Sequence, residues 1–153
     1  ADLAAMTEKE EWHLRFIELM PLAGMVQFVP SDEIRQLITT QFGALESSLP
    51  PTGNGPAQYY RLPGAIGTIG FISPITEPFC SRCNRMRLTS DGKLRPCLLS
   101  DDEVDLREPL RNNVSSKELK HLILKAVASK PQHHSLADGV DNSIKRKMSQ
   151  VGG

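Results

Sequence analysis

Apolar and polar positions divide the first third of the chain into one strand and one helix. From Trp12 to Met20, the run WHLRFIELM places apolar side chains in both alternating sets, which is typical of a strand covered on both faces. A helix is expected to start at Ser31 and end at Gly43, because Ser31 can cap it and apolar residues recur at helical spacing. These apolar residues are Ile34, Leu37, Ile38 and Phe42. A two-sided strand without repeated strand and helix partners indicates a fragment of a larger sheet.

Beyond residue 45 the pattern of apolar and polar positions is less regular. Residues 46–57 combine prolines, glycines and polar side chains and favour an exposed connection, while residues 59–75 read as two short strands interrupted by glycines. Ser115 and Glu118 have the spacing of a capping box, so a second helix should extend to about Lys130. The residues that follow are polar, and the basic side chains among them are expected to keep the tail soluble.

All three cysteines lie between residues 77 and 97, in a C-x2-C-x13-C spacing. The thirteen residues after the second cysteine suit a β-hairpin, and the run TSDGK fits a three-residue loop with Gly92 in the left-handed position. In that register Arg87 faces Arg95 and Arg85 faces Cys97 on a site face. Leu88 faces Leu94 and Met86 faces Pro96 on a core face. Opposed arginines repel, so we expect an anion between them and a metal centre beside them.

Three thiolates leave one position open on a tetrahedral zinc ion or on a four-iron cluster. With zinc, His133 or His134 could complete a structural Cys3His site. With a [4Fe-4S] cluster, the fourth iron could accept a nitrogen or oxygen from a substrate. The spacing leaves both alternatives open, together with plain buried or reactive thiols, and the two histidines could instead form a surface pair.

The amino-acid composition narrows the range of possible binding partners. Equal numbers of basic and acidic residues, 18 of each, give no global field that would recruit nucleic acid or an anionic membrane. One stretch is locally basic and contains Arg82, Arg85, Arg87, Lys93 and Arg95 against a single acidic residue, Asp91. No apolar run approaches the roughly 20 residues of a membrane helix, and the first residues do not fit a signal peptide. A cytoplasmic protein with one buried core is therefore expected, in which three clustered cysteines favour metal ligation over disulfides.

The motifs C-x2-C-x13-C, N-R-x-R-L-T and R-F-I-E-x-M-P occur together with a Gly-Gly tail. In combination they resemble the C-terminal half of the molybdenum cofactor biosynthesis protein A family, the radical-SAM GTP 3',8-cyclases, over essentially the whole chain. The resemblance implies two [4Fe-4S] clusters in an incomplete barrel. One cluster binds S-adenosylmethionine through an N-terminal C-x3-C-x2-C motif, and the other holds GTP at its open iron. The fold class would then be α+β, the C-terminal portion of an incomplete (β/α) barrel with a cysteine-bearing hairpin and flanking helices.

The resemblance also assigns roles to individual residues. Cys80, Cys83 and Cys97 correspond to the ligands of the C-terminal cluster. Arg85 and Arg87 match the arginines that help hold GTP, and Arg15 matches an arginine that lines the same pocket. Gly152 and Gly153 match a tail that the family needs for activity. On the residues alone, the arginines of the hairpin could form a solvated face, and Arg15 could pair with a buried carboxylate such as Glu18.

This sequence departs from the family in one large respect, because no C-x3-C-x2-C motif occurs in it. The chain is therefore expected to be inactive alone, with GTP as its ligand and an N-terminal radical SAM half as its partner; homodimerisation is an open alternative for the full-length enzyme. The implied division is a last barrel strand and helix (1–45), a linker (46–57), a cluster-binding region (58–130) and a polar tail (131–153). An alternative hypothesis, from a different functional class, is that the chain is a non-enzymatic, zinc-stabilised Cys3His binding module.

Overall fold

The computed structural model describes residues 2–20, 29–134 and 145–151. These residues belong to two compact units, one formed by 2–20 with 29–79 and the other by 80–134 with 145–151. Both units mix helices and strands, so the α+β class is confirmed, and the described strands do not close into a barrel. None of the described helices has the length and apolar character needed to cross a membrane.

The first unit packs two helices against a four-stranded sheet. Its elements are α1 (Asp2–Lys9), β1 (His13–Ile17), α2 (Ser31–Phe42), β2 (Glu46–Ser48), β3 (Gln58–Arg61) and β4 (Thr68–Ile72). The strand order is β1-β4-β3-β2, with β1 parallel to β4 and the other pairs antiparallel. Its core consists of Ala4, Ile38, Leu62, Ala65, Ile69 and Phe71. The two predicted strands between residues 59 and 75 are confirmed, whereas β2 lies in the segment expected to be an exposed connection.

The strand predicted between Trp12 and Met20 is present as β1, but the prediction of burial on both faces is wrong for the described residues. Ile17 is 57% exposed and Trp12 is 51% exposed. Exposed and half-buried residues alternate along β1, so only one face of the strand is covered by the described residues.

The helix predicted from Ser31 is confirmed as α2, but its predicted cap is wrong. Pro30 occupies the cap position and provides no side-chain hydrogen bond. Instead, the backbone N–H of Ser31 donates to a carboxylate oxygen of Glu18 at 3.0 Å, and the Ser31 hydroxyl accepts from Ser73 at 2.7 Å. The carboxylate of Glu18, the residue after β1, therefore satisfies a helix N–H group that a local cap was expected to bind.

The second unit contains the cysteine segment. It comprises a 3-10 turn (Cys80–Arg82), β5 (Arg87–Leu88), β6 (Lys93–Arg95), β7 (Val104–Asp105), α3 (Arg107–Arg111), α4 (Ser116–Ala128) and a second 3-10 turn (Met148–Gln150). The strand order is β5-β6-β7, and both pairs are antiparallel. The predicted capping box is confirmed, since Ser115 and Glu118 bond each other's backbone at the start of α4.

Candidate metal and nucleotide site

The hairpin that carries the candidate site has the predicted bulged register. Arg87 pairs with Arg95 and Leu88 with Leu94. Gly92 has φ +83°, a conformation that glycine adopts without steric cost. Its carbonyl accepts hydrogen bonds from the backbone N–H groups of residues 106 and 107, both at 3.1 Å, which ties the turn to the start of α3.

The predicted assignment of the hairpin faces is confirmed for Pro96, which is buried, but is wrong for Leu88 and Arg95. Leu88, expected on a core face, is 59% exposed, whereas Arg95, expected on an open site face, is fully buried. The reason is a chain segment that covers this part of the hairpin and supplies acceptors to the guanidinium. Arg95 donates to the carbonyl of Ser100, and it lies 3.3 Å from Asp101 and 3.5 Å from Glu103. The anion expected near Arg95 is thus provided by the protein itself.

Two of the three cysteines lie in the turn before the hairpin, and Cys97 lies two residues after the end of β6. The backbone N–H of Cys83 donates to the carbonyl of Cys80 at 3.0 Å, which closes the C-x2-C turn, and all three thiols are half-buried and unbridged. Burial raises the pKa of the Cys97 thiol. A hydrogen bond from the Leu99 N–H and the charge of Lys130 oppose this effect, and the neighbouring Cys80 and Cys83 add to it. Cys80 and Cys83 therefore lie near enough to Cys97 to influence its thiol.

Within the described residues, no three His, Cys, Asp or Glu side chains are close enough to hold a single metal ion. A four-iron cluster uses each cysteine on a different iron and so distributes its sulfur ligands over a wider site than one ion. The donor set is three thiols, with a backbone N–H on the sulfur of Cys97 and a cation nearby. Hydrogen bonds to sulfur and local charge are features that tune such clusters, so the residues present fit this group.

Lys130 is a residue of this site that the sequence did not single out. Its ammonium group donates to the carbonyl of Arg85 at 2.8 Å and to that of Pro96 at 2.7 Å. Lys130 therefore links the two chain segments of the hairpin beyond the Arg87–Arg95 pair, on the side away from the turn. The sequence predicted that Arg85 would face Cys97 in this region. The only local signal for Lys130 was its place at the end of a predicted helix, which does not show what a long flexible side chain reaches.

The candidate GTP-binding arginines differ in their surroundings. Arg85 is exposed and Arg87 is half-buried, both in the second unit. Arg15 belongs to the first unit, where its Nε donates to the hydroxyl of Tyr59 at 2.7 Å. The suggested pairing of Arg15 with Glu18 is wrong, because the Glu18 carboxylate is occupied by other donors.

Two further predictions concern the histidines and the tail. The prediction that both histidines lie on the surface is wrong for His134, which is only 4% exposed. His133 is exposed. Gly152 and Gly153 lie outside the described residues. The basic residues expected to keep the tail soluble include Arg146, which is instead engaged by two carboxylates.

Comparison with known proteins confirms the family that the sequence motifs resemble. Residues 12–136 match the family model described as Molybdenum Cofactor Synthesis C. A GTP 3',8-cyclase of Desulforamulus reducens is 46% identical over 158 residues, covering 100% of this chain and 48% of that protein. The GTP 3',8-cyclase of Pelotomaculum thermopropionicum is 44% identical over 99% of this chain and 47% of its own length.

A third relative shows the same extent of similarity. The GTP 3',8-cyclase of Trichodesmium erythraeum is 45% identical over 99% of this chain and 48% of its own length. The chain thus spans about half the length of the curated relatives that it matches. It belongs to the Molybdenum Cofactor Synthesis C family and corresponds to the C-terminal half of GTP 3',8-cyclase proteins.

Proposed function

We propose that this chain is the cluster-binding and GTP-binding part of a cytoplasmic radical-SAM GTP 3',8-cyclase, a lyase of molybdenum cofactor biosynthesis. The observation that carries the proposal is a set of three thiols on one hairpin, with no fourth cysteine in the sequence. The similarity to proteins named GTP 3',8-cyclase supports it. The proposal concerns the whole enzyme, of which this chain corresponds to about half.

Cys80, Cys83 and Cys97 would hold a [4Fe-4S] cluster. When bound, the cluster supplies one iron without a protein ligand, which can accept a nitrogen or oxygen of the purine. The Leu99 N–H and the Lys130 ammonium would offset negative charge on the Cys97 sulfur. Lys130 would also keep the two hairpin segments at a fixed separation through its bonds to both carbonyls.

Arg85 and Arg87 would bind the phosphates of GTP. Guanidinium groups form charge-assisted and often bidentate hydrogen bonds with phosphate oxygens. Both side chains follow directly after the C-x2-C turn, so a nucleotide bound to them lies next to the thiols. Arg15 is a third candidate GTP contact, which rests on the family resemblance alone. Holding the nucleotide in one orientation is a positioning effect, which can lower a reaction barrier by several kcal/mol.

The first half of the enzyme would supply the chemistry that this chain lacks. S-adenosylmethionine binding and a second cluster require the C-x3-C-x2-C motif, which this sequence does not contain, so the isolated chain should form no 5'-deoxyadenosine. We also propose that the barrel continues at β1. That strand lies at an edge of its sheet and carries the exposed side chain of Ile17, so a strand of the other half could pair with it.

Anaerobic reconstitution with iron and sulfide tests the cluster directly. The chain should take up about four irons and develop a broad visible absorption, and Cys97→Ser should abolish both. Ser81→Ala is the matched control, because it changes the same cysteine segment without removing a thiol, and it should bind iron like the parent. Tight binding of one zinc ion without iron uptake would instead support the zinc-stabilised module and refute this proposal.

A further inference from the structure

The segment 145–151 is attached to the cysteine hairpin through one guanidinium group. The Nε of Arg146 donates to Glu103 Oε1 at 2.5 Å, and its Nη2 donates to Glu103 Oε2 at 2.9 Å. The same Nη2 lies 2.8 Å from Asp91 Oδ2, in the hairpin turn. A two-point contact of this kind fixes the orientation of the guanidinium plane as well as its position.

The two carboxylates are themselves held in place. Asp91 accepts a hydrogen bond from the Thr89 hydroxyl at 2.6 Å, and Glu103 lies 3.5 Å from both Lys93 and Arg95. The hydrogen bonds from Arg146 hold the pKa values of both carboxyls below their usual range. Both acceptors are therefore charged at neutral pH and positioned by the second unit itself.

Other contacts extend the attachment toward the end of the segment. The backbone N–H of Lys145 donates to Asp101 at 3.3 Å. Between Lys147 and Gln150, a side-chain and a backbone hydrogen bond, both 2.9 Å, close the second 3-10 turn. Val151 is only 1% exposed. A tail that served only for solubility would not bury its last described apolar side chain.

We propose that Arg146 is a positioning residue that anchors the segment 145–151 on the cysteine hairpin and fixes the point from which Gly152 and Gly153 continue. Gly152 and Gly153 follow Val151 directly in the sequence. The anchoring stands without any assumption about activity. Its catalytic consequence rests on the proposed function together with the family resemblance, which implies that the Gly-Gly tail is needed for turnover.

Hydrogen exchange of the peptide 145–151, followed by mass spectrometry, measures the anchoring in the 153-residue chain. Arg146→Gln should speed exchange in this peptide by about tenfold or more, since hydrogen bonds to charged groups are among the stronger ones. Arg146→Lys should fall between the parent and Arg146→Gln, because a lysine keeps the charge but not the two-point contact. Lys147→Gln, an exposed charge removal in the same segment, should exchange like the parent. Exchange in Arg146→Gln equal to that of the parent would overturn the proposal.

A double-mutant cycle distinguishes loss of the contact between Arg146 and Asp91 from a general loss of folding. Arg146→Gln and Asp91→Asn remove the two sides of one contact, so the double variant should exchange no faster than the faster single variant. Exchange in the α4 peptide, 116–128, should be unchanged in all of them. Additive effects of the two substitutions, or equal acceleration in α4, would show that Arg146 does not act through this contact and would refute the anchor.

The catalytic consequence is tested in the full-length enzyme. Arg146→Gln should lower kcat by about tenfold, the change expected from a displaced positioning group, with GTP affinity and iron content like the parent. Unchanged kcat, or a fall in GTP affinity of the same size, would overturn the positioning role. The exchange measurement does not depend on iron or GTP, so an intact anchor in a chain that takes up no iron would refute the proposed function alone.

Discussion

Glu18 is a carboxylate with only 3% exposure, and the described residues that bond it are neutral donors, so its charge is stabilised by dipoles. It accepts hydrogen bonds from the backbone N–H groups of Ser31, Ile75 and Thr76 and from the Thr76 hydroxyl. Burial by itself would raise the pKa of Glu18, but these hydrogen bonds outweigh it and the net pKa is lowered. One side chain thereby fixes the start of α2 and the chain after β4.

The lowered pKa makes the stability of the first unit sensitive to acid. Because the folded-state pKa lies below the unfolded-state value, Glu18 stabilises the fold above the ordinary carboxyl pKa of about 4.3, and this contribution is lost as the pH falls through the folded-state pKa. Glu18→Gln should cost about 2 kcal/mol in unfolding free energy at pH 7, a typical value for hydrogen bonds to a charged group. Urea denaturation at pH 7 and pH 3 measures it, and the difference from the parent should shrink at pH 3. Exposed Glu46→Gln is the control, and a Glu18→Gln variant as stable as the parent at pH 7 would contradict this role.

Arg85 and Arg87 carry the proposed contact with the substrate. If each binds a phosphate group, either alanine variant should weaken GTP binding by about tenfold or more, since one charge-assisted hydrogen bond contributes roughly 1.5 to 3 kcal/mol. Titration calorimetry on the reconstituted full-length enzyme measures the affinity. Iron content and S-adenosylmethionine binding should not change, and the exposed Arg111→Ala should behave like the parent. Parent-like GTP binding in both variants, or loss of the cluster with the nucleotide, would rule out these side chains as phosphate ligands.

At the level of elements, Gly92 joins the hairpin turn to α3. A Cβ atom added there would lie 2.7 Å from the Cβ of Arg107, in addition to the strain of a positive φ. Gly53 has a similar φ of +84° but open space around its Cα. The two glycines therefore form a matched pair that separates backbone strain from steric overlap.

We predict that alanine substitution of these two glycines lowers the unfolding free energy by unequal amounts. Gly53→Ala should lower the unfolding free energy by about 1 to 2 kcal/mol, the cost of a left-handed conformation at a residue with a side chain. Gly92→Ala should cost more and should also reduce iron uptake, because relief of the overlap must displace the turn or α3. Urea denaturation and iron analysis after reconstitution measure both effects. Equal losses in the two variants, with iron uptake intact, would show that the contact between the turn and α3 does not support the cysteine segment.

Elements with a local cause were predictable from the sequence. The capping box of α4 and the bulged turn at Gly92 depend on residues within a few positions of one another, so the pattern alone determines them. The burial of Arg95 was not predictable, because its acceptors come from residues 100–103 beyond the hairpin. The start of α2 was predicted at the right residue for the wrong reason, since its N–H group is satisfied by a carboxylate from outside the helix.

The candidate site also contains some residues that the sequence predicted and others that it could not predict. Spacing and residue type were enough to choose Cys80, Cys83 and Cys97, because a ligand set is a local sequence feature. Lys130 and Arg146 could not be chosen, since each acts on a segment more than thirty positions away. Long cationic side chains reach distant acceptors, and no periodicity in the sequence records where those acceptors lie.

At the level of the whole molecule, the chain corresponds to about half of its relatives and carries a sheet edge at β1. The proposed division of labour places radical generation in the other half and substrate binding here. Its central claim is that GTP binds at the cluster held by the three cysteines. That claim concerns this chain alone and can be tested without the other half.

The most direct measurement is the electron paramagnetic resonance spectrum of the reduced, reconstituted chain during a titration with GTP. We expect GTP to change the cluster spectrum and to saturate at one nucleotide per cluster, because the purine would become a ligand of the open iron. Cys97→Ser, which should hold no cluster, gives no signal to titrate and should bind GTP more weakly by calorimetry. A spectrum that GTP leaves unchanged at saturating concentration, or equal GTP affinity in the parent and in Cys97→Ser, would contradict the account.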